Sequence, residues 1–230
     1  MRYREHAPPG ELAPYVTCFW ELVSNGEAHR VLPDGAMDLL FALGDAGARV
    51  VGPMTRAIVT NEGSPAGFVG VRFRSGAAFD LLGMAARELR DADAEVADVW
   101  GPRGRSLDAR LAGALDVSSA RTVLEAELVA RVGAAPAPDA RLARAVATLR
   151  ATGGELPIPA VSSVIGLSER QLERLFDERV GYGQKRFARV VRLQRSVGMI
   201  RRPGPTRGGS IASWADASLQ RDHATAASPR

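Results

Sequence analysis

The first third of the chain alternates short apolar stretches with turn-forming residues. Five stretches rich in β-branched and aromatic residues lie between residues 15 and 73. They are YVTCFWELV, VLPDGAMDLLFAL, RVVGPM, AIVT and GFVGVRF. Turn signals separate or interrupt them at residues 24–26, 33–35, 44–45 and 61–63. Apolar stretches broken by turns at this spacing predict consecutive antiparallel strands. We therefore expect an antiparallel sheet or a barrel-like module.

The rest of the chain has the spacing of helices. The stretch AAFDLLGMAAREL after Gly76 is typical of a helix, and residues 118–132 place apolar side chains at helical intervals. A proline-containing stretch, GAAPAPD, then marks a linker. Beyond it, further helices are predicted over residues 139–151, 158–165, 168–179 and 183–199. Strands followed by helices indicate an α+β fold and not alternating β/α units.

These elements divide the chain into four parts. We predict a β-rich domain with trailing helices over residues 1–132. A linker over 133–138 leads to a helical domain over 139–202. Residues 203–230 are expected to be a degenerate or disordered tail, because they combine prolines, glycines and small polar residues.

Charge is distributed unevenly along these parts. Residues 1–138 carry 14 basic and 18 acidic side chains, a net of −4, whereas residues 139–230 carry 16 and 8, a net of +8. A basic second half suggests a polyanionic partner. Of the 30 basic residues 29 are arginine, as a high-GC genome would encode, but that bias does not explain the one-sided placement.

The most informative stretch is GLSERQLERLF, residues 166–176. Ser168 and Gln171 have the spacing of a capping box, which begins a helix. Gly166 can adopt the left-handed conformation that ends the preceding helix, and the small Ser162 lets two helices cross closely. The sequence therefore predicts a helix, a tight turn and a second helix. The side chains predicted to face inward are Leu167, Leu172, Leu175 and Phe176.

In a helix-turn-helix the second helix enters the DNA major groove and presents outward side chains to base edges. Arg170 and Arg174 lie one turn apart and could each pair with a guanine, while Glu173 could accept from a cytosine amine. The residues expected to contact bases are Glu169, Arg170, Gln171, Glu173 and Arg174.

The next helix, KRFARVVRLQR, suits the DNA backbone. It places Lys185, Arg189 and Arg192 on one side, within reach of phosphate oxygens. The complete set of predicted phosphate contacts is Ser168, Arg179, Lys185, Arg186, Arg189 and Arg192. An ordinary solvated helix, with arginines paired to Glu173 or Asp177, fits the same charge pattern. The small residue, the capping box and the basic third helix in fixed register favour DNA binding.

These residues carry a family resemblance. Residues 166–195 resemble the first helix-turn-helix and linker helix of the AraC/XylS family of bacterial transcription regulators. The front half resembles a sensor-like domain found ahead of such regulators, through LAPYVTCFWE, LPDGAMDLLF and GVRFRSGAAFDLLG, which implies a sensing or dimerisation role for residues 1–132. The resemblance implies a regulator that binds double-stranded DNA through two helix-turn-helix units, which read successive major grooves. We expect a cytoplasmic protein because the start, MRYREHAPPG, has no apolar signal segment.

The second unit departs from that pattern. It should begin near residue 205, where this chain has Pro203, Pro205 and three glycines. A degenerate second unit and a shifted reading frame both explain the sequence RRPGPTRGGSIASWADASLQRD. One unit reads only a few base pairs, over roughly 600 to 1,000 Å² of protein surface, so we expect a homodimer.

Other functions have weaker support in the sequence. The three histidines and the single Cys18 have no metal-ligand spacing, and no catalytic or phosphate-binding motif occurs, so we expect no enzyme, metal or cofactor. We expect Asp34 to form a turn, and we expect no membrane segment. Arg72 and Arg74 precede a predicted helix start and are the candidates for binding an anionic effector. The alternative function is an effector-sensing or dimerising regulatory protein that has lost autonomous DNA binding.

Overall fold

The fold is α+β, with an antiparallel sheet followed by helices. The computed structural model of the chain describes residues 2–26, 28–60 and 67–200. The strands are β1 (Arg2–His6), β2 (Val16–Val23), β3 (His29–Val31), β4 (Asp38–Ala42), β5 (Arg49–Val51), β6 (Ile58–Thr60), β7 (Gly67–Phe73) and β8 (Asp93–Glu95). Each of the five predicted stretches contains a strand, and the second is split into β3 and β4 by the turn at Asp34.

Six strands form one sheet in the order β1-β2-β7-β4-β5-β8, and β3 pairs with β6 in a separate ribbon. Every pairing is antiparallel. The unpredicted strands, β1 and β8, lie at the two edges of the large sheet. Their sequences, RYREH and DAE, are mostly polar, as an edge strand allows because it need not be buried on both faces. A search for apolar stretches therefore does not find them.

The helices are α1 (Ala78–Leu82), α2 (Val96–Trp100), α3 (Pro102–Ala112), α4 (Val117–Val132), α5 (Ala140–Ala151), α6 (Ile158–Ile165), α7 (Glu169–Val180) and α8 (Gln184–Ile200). The four helices after the linker agree with prediction to within one residue. The predicted helix after Gly76 is instead interrupted at Gly83, whose φ is 75°, and resumes as a short 3-10 turn, Ala86–Leu89. Helices α2 and α3 were not predicted.

The two larger hydrophobic cores among the described residues correspond to the two halves of the chain, and a third, small cluster contains Cys18, Trp20 and Leu22. One face of the large sheet, including Phe19, Phe41 and Phe73, packs in a core shared with α3 and α4. A separate core joins α5 to α8 around Leu172, Phe176 and Phe187. Residues 133–139 between them contain neither helix nor strand. The predicted tail at 203–230 and the predicted turn at 61–63 lie outside the described residues.

The front half of the chain, from β1 to α4, contacts one face of the helical unit that α5 to α8 form. The last turn of α7 lies against the 3-10 turn. The turn at Pro33 and Asp34 also reaches the helical unit: Arg150 Nη2 donates to the Asp34 carbonyl oxygen at 3.2 Å, and Gln194 Nε2 donates to the Pro33 carbonyl oxygen at 2.6 Å. The Asp34 carboxylate accepts from the Ala36 amide at 2.9 Å, so Asp34 forms the predicted turn.

Candidate nucleic-acid interface

Helices α6 and α7 form a helix-turn-helix whose turn is set by Gly166. This glycine has φ 75° and ψ 29°, and its amide donates to the Ser162 carbonyl oxygen at 2.9 Å. Helix α6 therefore ends there and does not continue into α7. The predicted capping box is present: the Gln171 amide donates to Ser168 Oγ at 3.2 Å, and the Ser168 amide donates to Gln171 Oε1 at 2.9 Å.

Apolar packing fixes the orientation of α7. Leu172 and Phe176 are fully buried, and the ring of Phe176 meets that of Phe187 from α8 edge to face, with centroids 5.5 Å apart. Leu167 and Leu175 pack beside this cluster while remaining partly exposed. Ser162 is buried, as expected where two helices cross closely. The inward face predicted from the sequence is therefore confirmed.

The opposite face of α7 is exposed. All five predicted base-contacting residues, Glu169, Arg170, Gln171, Glu173 and Arg174, are exposed in the structure. Arg170 and Arg174 form no ion pair or side-chain hydrogen bond with any residue that the structure describes. Both guanidinium groups on this face are therefore available to an external partner.

Helix α8 lies beside the same end of α7. Gln184, which is almost fully buried, donates from Nε2 to the Glu169 carbonyl oxygen at 3.3 Å. This contact brings the first turn of α8 next to the first turn of α7. Lys185 and Arg189 follow on the exposed side of α8, and neither forms an ion pair within the described ranges. Val190 and Val191 face the core.

Other predicted phosphate contacts are engaged elsewhere. Arg179 Nη1 donates to Asp80 Oδ1 and Oδ2 at 2.9 and 3.0 Å, so the structure places it at the junction with the front half and not on the exposed face. Arg192 donates from Nη1 to the Gly154 carbonyl oxygen. Arg186, by contrast, is exposed and forms no ion pair with a residue that the structure describes. Ser168 remains exposed, with its hydroxyl used in the cap.

The predicted effector residues differ from each other in their surroundings. Arg72 is buried, and its Nε lies 3.4 Å from Asp38 Oδ1 and 3.6 Å from Asp34 Oδ2. Burial alone would lower the pKa of Arg72, but the two carboxylates raise it above its usual value. Arg74 is exposed and donates from Nε to the Ala13 carbonyl oxygen at 2.6 Å. Both arginines line a cavity of about 340 Å³, together with Ser75, Gly76 and Arg150, beside the five-residue helix that follows Gly76. Binding of an anionic effector at Arg72 and Arg74 stays a prediction.

Sequence reasoning missed the residues that join the two halves. Asp80 and Arg90 reach α7 from the front half, and Arg150 reaches back from α5. An acidic residue inside the apolar stretch AAFDLLG was the available signal for Asp80, because a buried carboxylate needs a partner. Arg90 and Arg150 lie in charged stretches typical of a protein surface, so the sequence gave no sign that they join the two halves.

No group of three or more potential metal ligands occurs among residues 2–26, 28–60 and 67–200. Over the same ranges, every helix falls short of the length and apolar character that crossing a lipid bilayer requires.

Comparison with known proteins finds a match within the front half only. A family model described as a domain of unknown function, DUF6597, matches residues 4–95. The match begins within β1, runs to the end of β8 and stops before α2. No curated protein and no solved structure matches the chain significantly.

Proposed function

We propose that this chain is a sequence-specific, double-stranded DNA-binding transcription regulator. Helix α7 enters the major groove and Arg170 and Arg174 contact base edges, together with Glu169, Gln171 and Glu173. The observation that carries the proposal is the exposure of the two arginines, without ion pairs to described residues, on a capped helix that follows a glycine turn. Neutral or paired side chains at these positions would have favoured a solvated structural helix.

In this proposal, α8 supplies the backbone contacts. Lys185 and Arg189 lie one turn apart, next to the start of α7, and each would neutralise a phosphate and release a counterion. Ser168 contributes at the helix N-terminus, and Arg186 and Arg192 lie at the borders of this surface. Arg179 is left out because its charge is used by Asp80.

The resemblance to the AraC/XylS family supports this function and adds an expected arrangement. One helix-turn-helix contacts a short site, so the proposal includes a homodimer that binds two half-sites, with the front half as the sensor and dimerisation unit. The proposal further includes a cytoplasmic location and no enzymatic activity.

A second candidate is a regulatory protein that no longer binds DNA by itself and acts through effector binding or dimerisation. It is favoured by the attachment of the recognition helix to the front half, since Arg90 Nη2 contacts Asp177 Oδ1 at 2.5 Å and Arg179 contacts Asp80. A helix held in this way has less freedom to adjust to a groove.

The test is a salt titration of full-length protein binding to a random-sequence duplex. Two phosphate contacts at Lys185 and Arg189 would contribute about −1.8 to the slope of log K against log salt concentration. Lys185→Ala with Arg189→Ala should reduce the slope by that amount. Arg105→Ala with Arg103→Ala, on α3 of the front half, is the matched control, because it removes the same charge from exposed positions elsewhere.

Equal loss of slope in both double variants would show that binding follows net charge and not this surface. Absence of duplex binding by the unmodified protein, at low salt and at any concentration that keeps it dispersed, would favour the second candidate.

A further inference from the structure

A cavity of about 340 Å³ lies between the front half and α5 of the helical unit. The front half contributes the turn at Asp34 and the end of β7, and α5 contributes Leu142, Val146 and Arg150. A Cβ on Gly76 would lie 2.4 Å from Leu142 Cδ2, so the chain after β7 runs directly against α5. Both halves form the walls, and a molecule bound in this cavity therefore contacts both.

Three guanidinium groups line the cavity. Arg72 and Arg74 come from the end of β7, and Arg150 comes from α5. Arg74 and Arg150 form no ion pair with any residue that the structure describes. Each donates to neutral oxygens instead, Arg74 Nε to the Ala13 carbonyl at 2.6 Å and Arg150 Nη2 to Ser75 Oγ at 2.9 Å. Donors remain on both groups for an external acceptor.

The guanidinium group of Arg72 lacks an acceptor at one buried nitrogen. In the sheet, Arg72 of β7 is paired with Cys18 of β2 and Asp38 of β4, so the three residues form a row. Arg72 Nε lies 3.4 Å from Asp38 Oδ1 and 3.6 Å from Asp34 Oδ2, yet it makes no hydrogen bond to a described residue. A buried donor without an acceptor is costly. A small rotation of this side chain toward an oxygen in the cavity would remove that cost.

The acidic residue at the α5 end of the cavity is neutralised locally. Asp139 Oδ2 lies 3.1 Å from Arg141 Nη2, and Asp139 Oδ1 accepts from the Leu142 amide at 3.2 Å. The Asp139 carboxylate also adds to the burial that raises the pKa of Asp80, but Asp80 is itself paired with Arg179. These two pairs add no net charge to the site.

The remaining charges leave one cation in excess. Arg72, Arg74 and Arg150 are set against two carboxylates, Asp34 in the lining and Asp38 behind Arg72. Burial raises the pKa of Asp38 above its usual value, and its protonation would increase the positive charge further. A ligand anion would balance this charge, whereas a ligand cation would increase the imbalance.

The rest of the wall is mostly apolar and includes Phe73, Ala77, Leu142 and Val146. Ligand sites are typically apolar pockets with a few placed polar groups. An engineered cavity of about 150 Å³ accommodates benzene, so this larger volume suits a molecule of roughly a dozen non-hydrogen atoms.

We propose that this cavity binds a small organic carboxylate, with its oxygens at Arg74 and Arg150 and its apolar body against Leu142 and Val146. Arg72 adds positive charge from the floor, and hydrogen bonds between guanidinium groups and a carboxylate are among the strong ones. The sequence suggested an anion at Arg72 and Arg74 alone. The structure adds Arg150 and the apolar side of α5, so the bound carboxylate joins the two halves. Binding does not depend on DNA recognition and is tested without DNA.

The experiment is isothermal titration of the full-length protein at pH 7 with four probes. They are 3-phenylpropanoate, its neutral analogue 3-phenylpropanamide, the cation 2-phenylethylamine and inorganic phosphate. We expect the propanoate to bind at least about tenfold more tightly than the amide, and the amine to give no signal. Phosphate, which has the charge but no apolar body, should bind at least about tenfold more weakly than the propanoate.

Two variants locate the site. Arg74→Gln removes one charge from an exposed position, so it should weaken propanoate binding at least about tenfold and leave amide binding unchanged. Ala147→Trp fills the cavity from the exposed side of α5 and should abolish binding of both probes. Arg105→Gln and Ala109→Trp, at exposed positions on α3, are the matched controls and should bind as the unmodified protein does.

Amide hydrogen exchange tests whether the ligand contacts both halves. The propanoate should slow exchange in peptides that cover residues 73–77 of the front half and residues 139–147 of the helical unit. Protection confined to one of these segments would contradict the bridging position.

Four outcomes of the titrations would overturn the proposal. They are no binding of the propanoate at millimolar concentrations, equal binding of the propanoate and the amide, phosphate binding as tight as that of the propanoate, and propanoate binding that survives Ala147→Trp.

Discussion

The guanidinium of Arg179, in the last turn of α7, donates to both carboxylate oxygens of Asp80 on α1, at 2.9 and 3.0 Å. The Asp80 side chain is fully buried, and that of Arg179 is 18% exposed. The Arg179 guanidinium also stacks over the Phe79 ring, 4.4 Å from its centroid. Burial raises the pKa of Asp80 above its usual value, although the hydrogen bonds from Arg179 lower it. This pair therefore connects the front half to the proposed recognition helix.

Asp80→Ala should destabilise the protein markedly. The substitution leaves Arg179 in a largely buried position without its partner, and breaking a buried pair in this way costs about 3 kcal/mol or more. The measurement is urea-induced unfolding followed by circular dichroism, with the free energy of unfolding extrapolated to water.

Asp177→Ala provides the comparison. Asp177 pairs with Arg90 across the same junction, but both side chains are about 40% exposed, so solvent screens the pair and its loss should cost less than about 1 kcal/mol. Similar decreases in the free energy of unfolding for Asp80→Ala and Asp177→Ala would mean that burial does not make the Asp80–Arg179 pair the stronger one.

The helices that carry the proposed function were predictable because their signals are local. Gly166, Ser168 and Gln171 act on backbone groups within five residues of themselves, so the sequence contains the whole cause of the turn and the cap. Asp80 and Arg179 are 99 positions apart, and no local pattern brings them together. Arg179 was therefore predicted to contact phosphate, as its place on the proposed recognition helix suggests, and the structure pairs it with Asp80 instead.

Ser168→Ala should lower the free energy of unfolding by about 1 kcal/mol, because α7 loses the hydroxyl that accepts from the Gln171 amide. Differential scanning calorimetry and urea unfolding both measure this change. Ser163→Ala, an exposed position on α6 that caps no helix, is the matched control and should change stability by less than about 0.5 kcal/mol. If Ser168→Ala and Ser163→Ala lowered the free energy of unfolding equally, the cap at Ser168 would contribute no more than an exposed hydroxyl does.

The charged row on the sheet was harder to predict than the helix-turn-helix. The sequence showed Arg72 at the end of a strand and Asp34 in a turn, and both readings are correct for the backbone. Their contact depends on the register of β2, β7 and β4, which pairs Arg72 with both Cys18 and Asp38. Register between strands 30 or more residues apart is set by packing of the whole sheet, so the candidate anion site at Arg72 could not be tested from the sequence.

Cys18 should be unreactive in the folded protein. Burial, with a smaller effect of the Glu5 carboxylate, raises the pKa of the thiol to about 12. At pH 8 the thiolate is then about one part in ten thousand, and the side chain is also inaccessible. Labelling with 5,5′-dithiobis(2-nitrobenzoic acid) should therefore be slow in buffer and fast in concentrated urea. Rapid stoichiometric labelling of the folded protein at pH 8 would contradict the buried position of β2.

Arg170→Ala should alter which sequences the protein prefers more than how strongly it holds DNA in general. The Arg170 guanidinium is exposed in the first turn of α7, and a bidentate contact to a guanine contributes about 1 to 3 kcal/mol of discrimination against the wrong base. Selection from a randomised duplex library, sequenced for the unmodified protein and for Arg170→Ala, should show lost preference at one position in each half-site. Affinity for random-sequence duplex should fall by no more than the loss of one phosphate contact would explain.

Lys185→Ala is the matched variant, because it should weaken binding to all sequences alike and leave the selected site unchanged. If Arg170→Ala and Lys185→Ala gave the same uniform loss, α7 would contact only the backbone, and the assignment of its outward face to base recognition would be wrong.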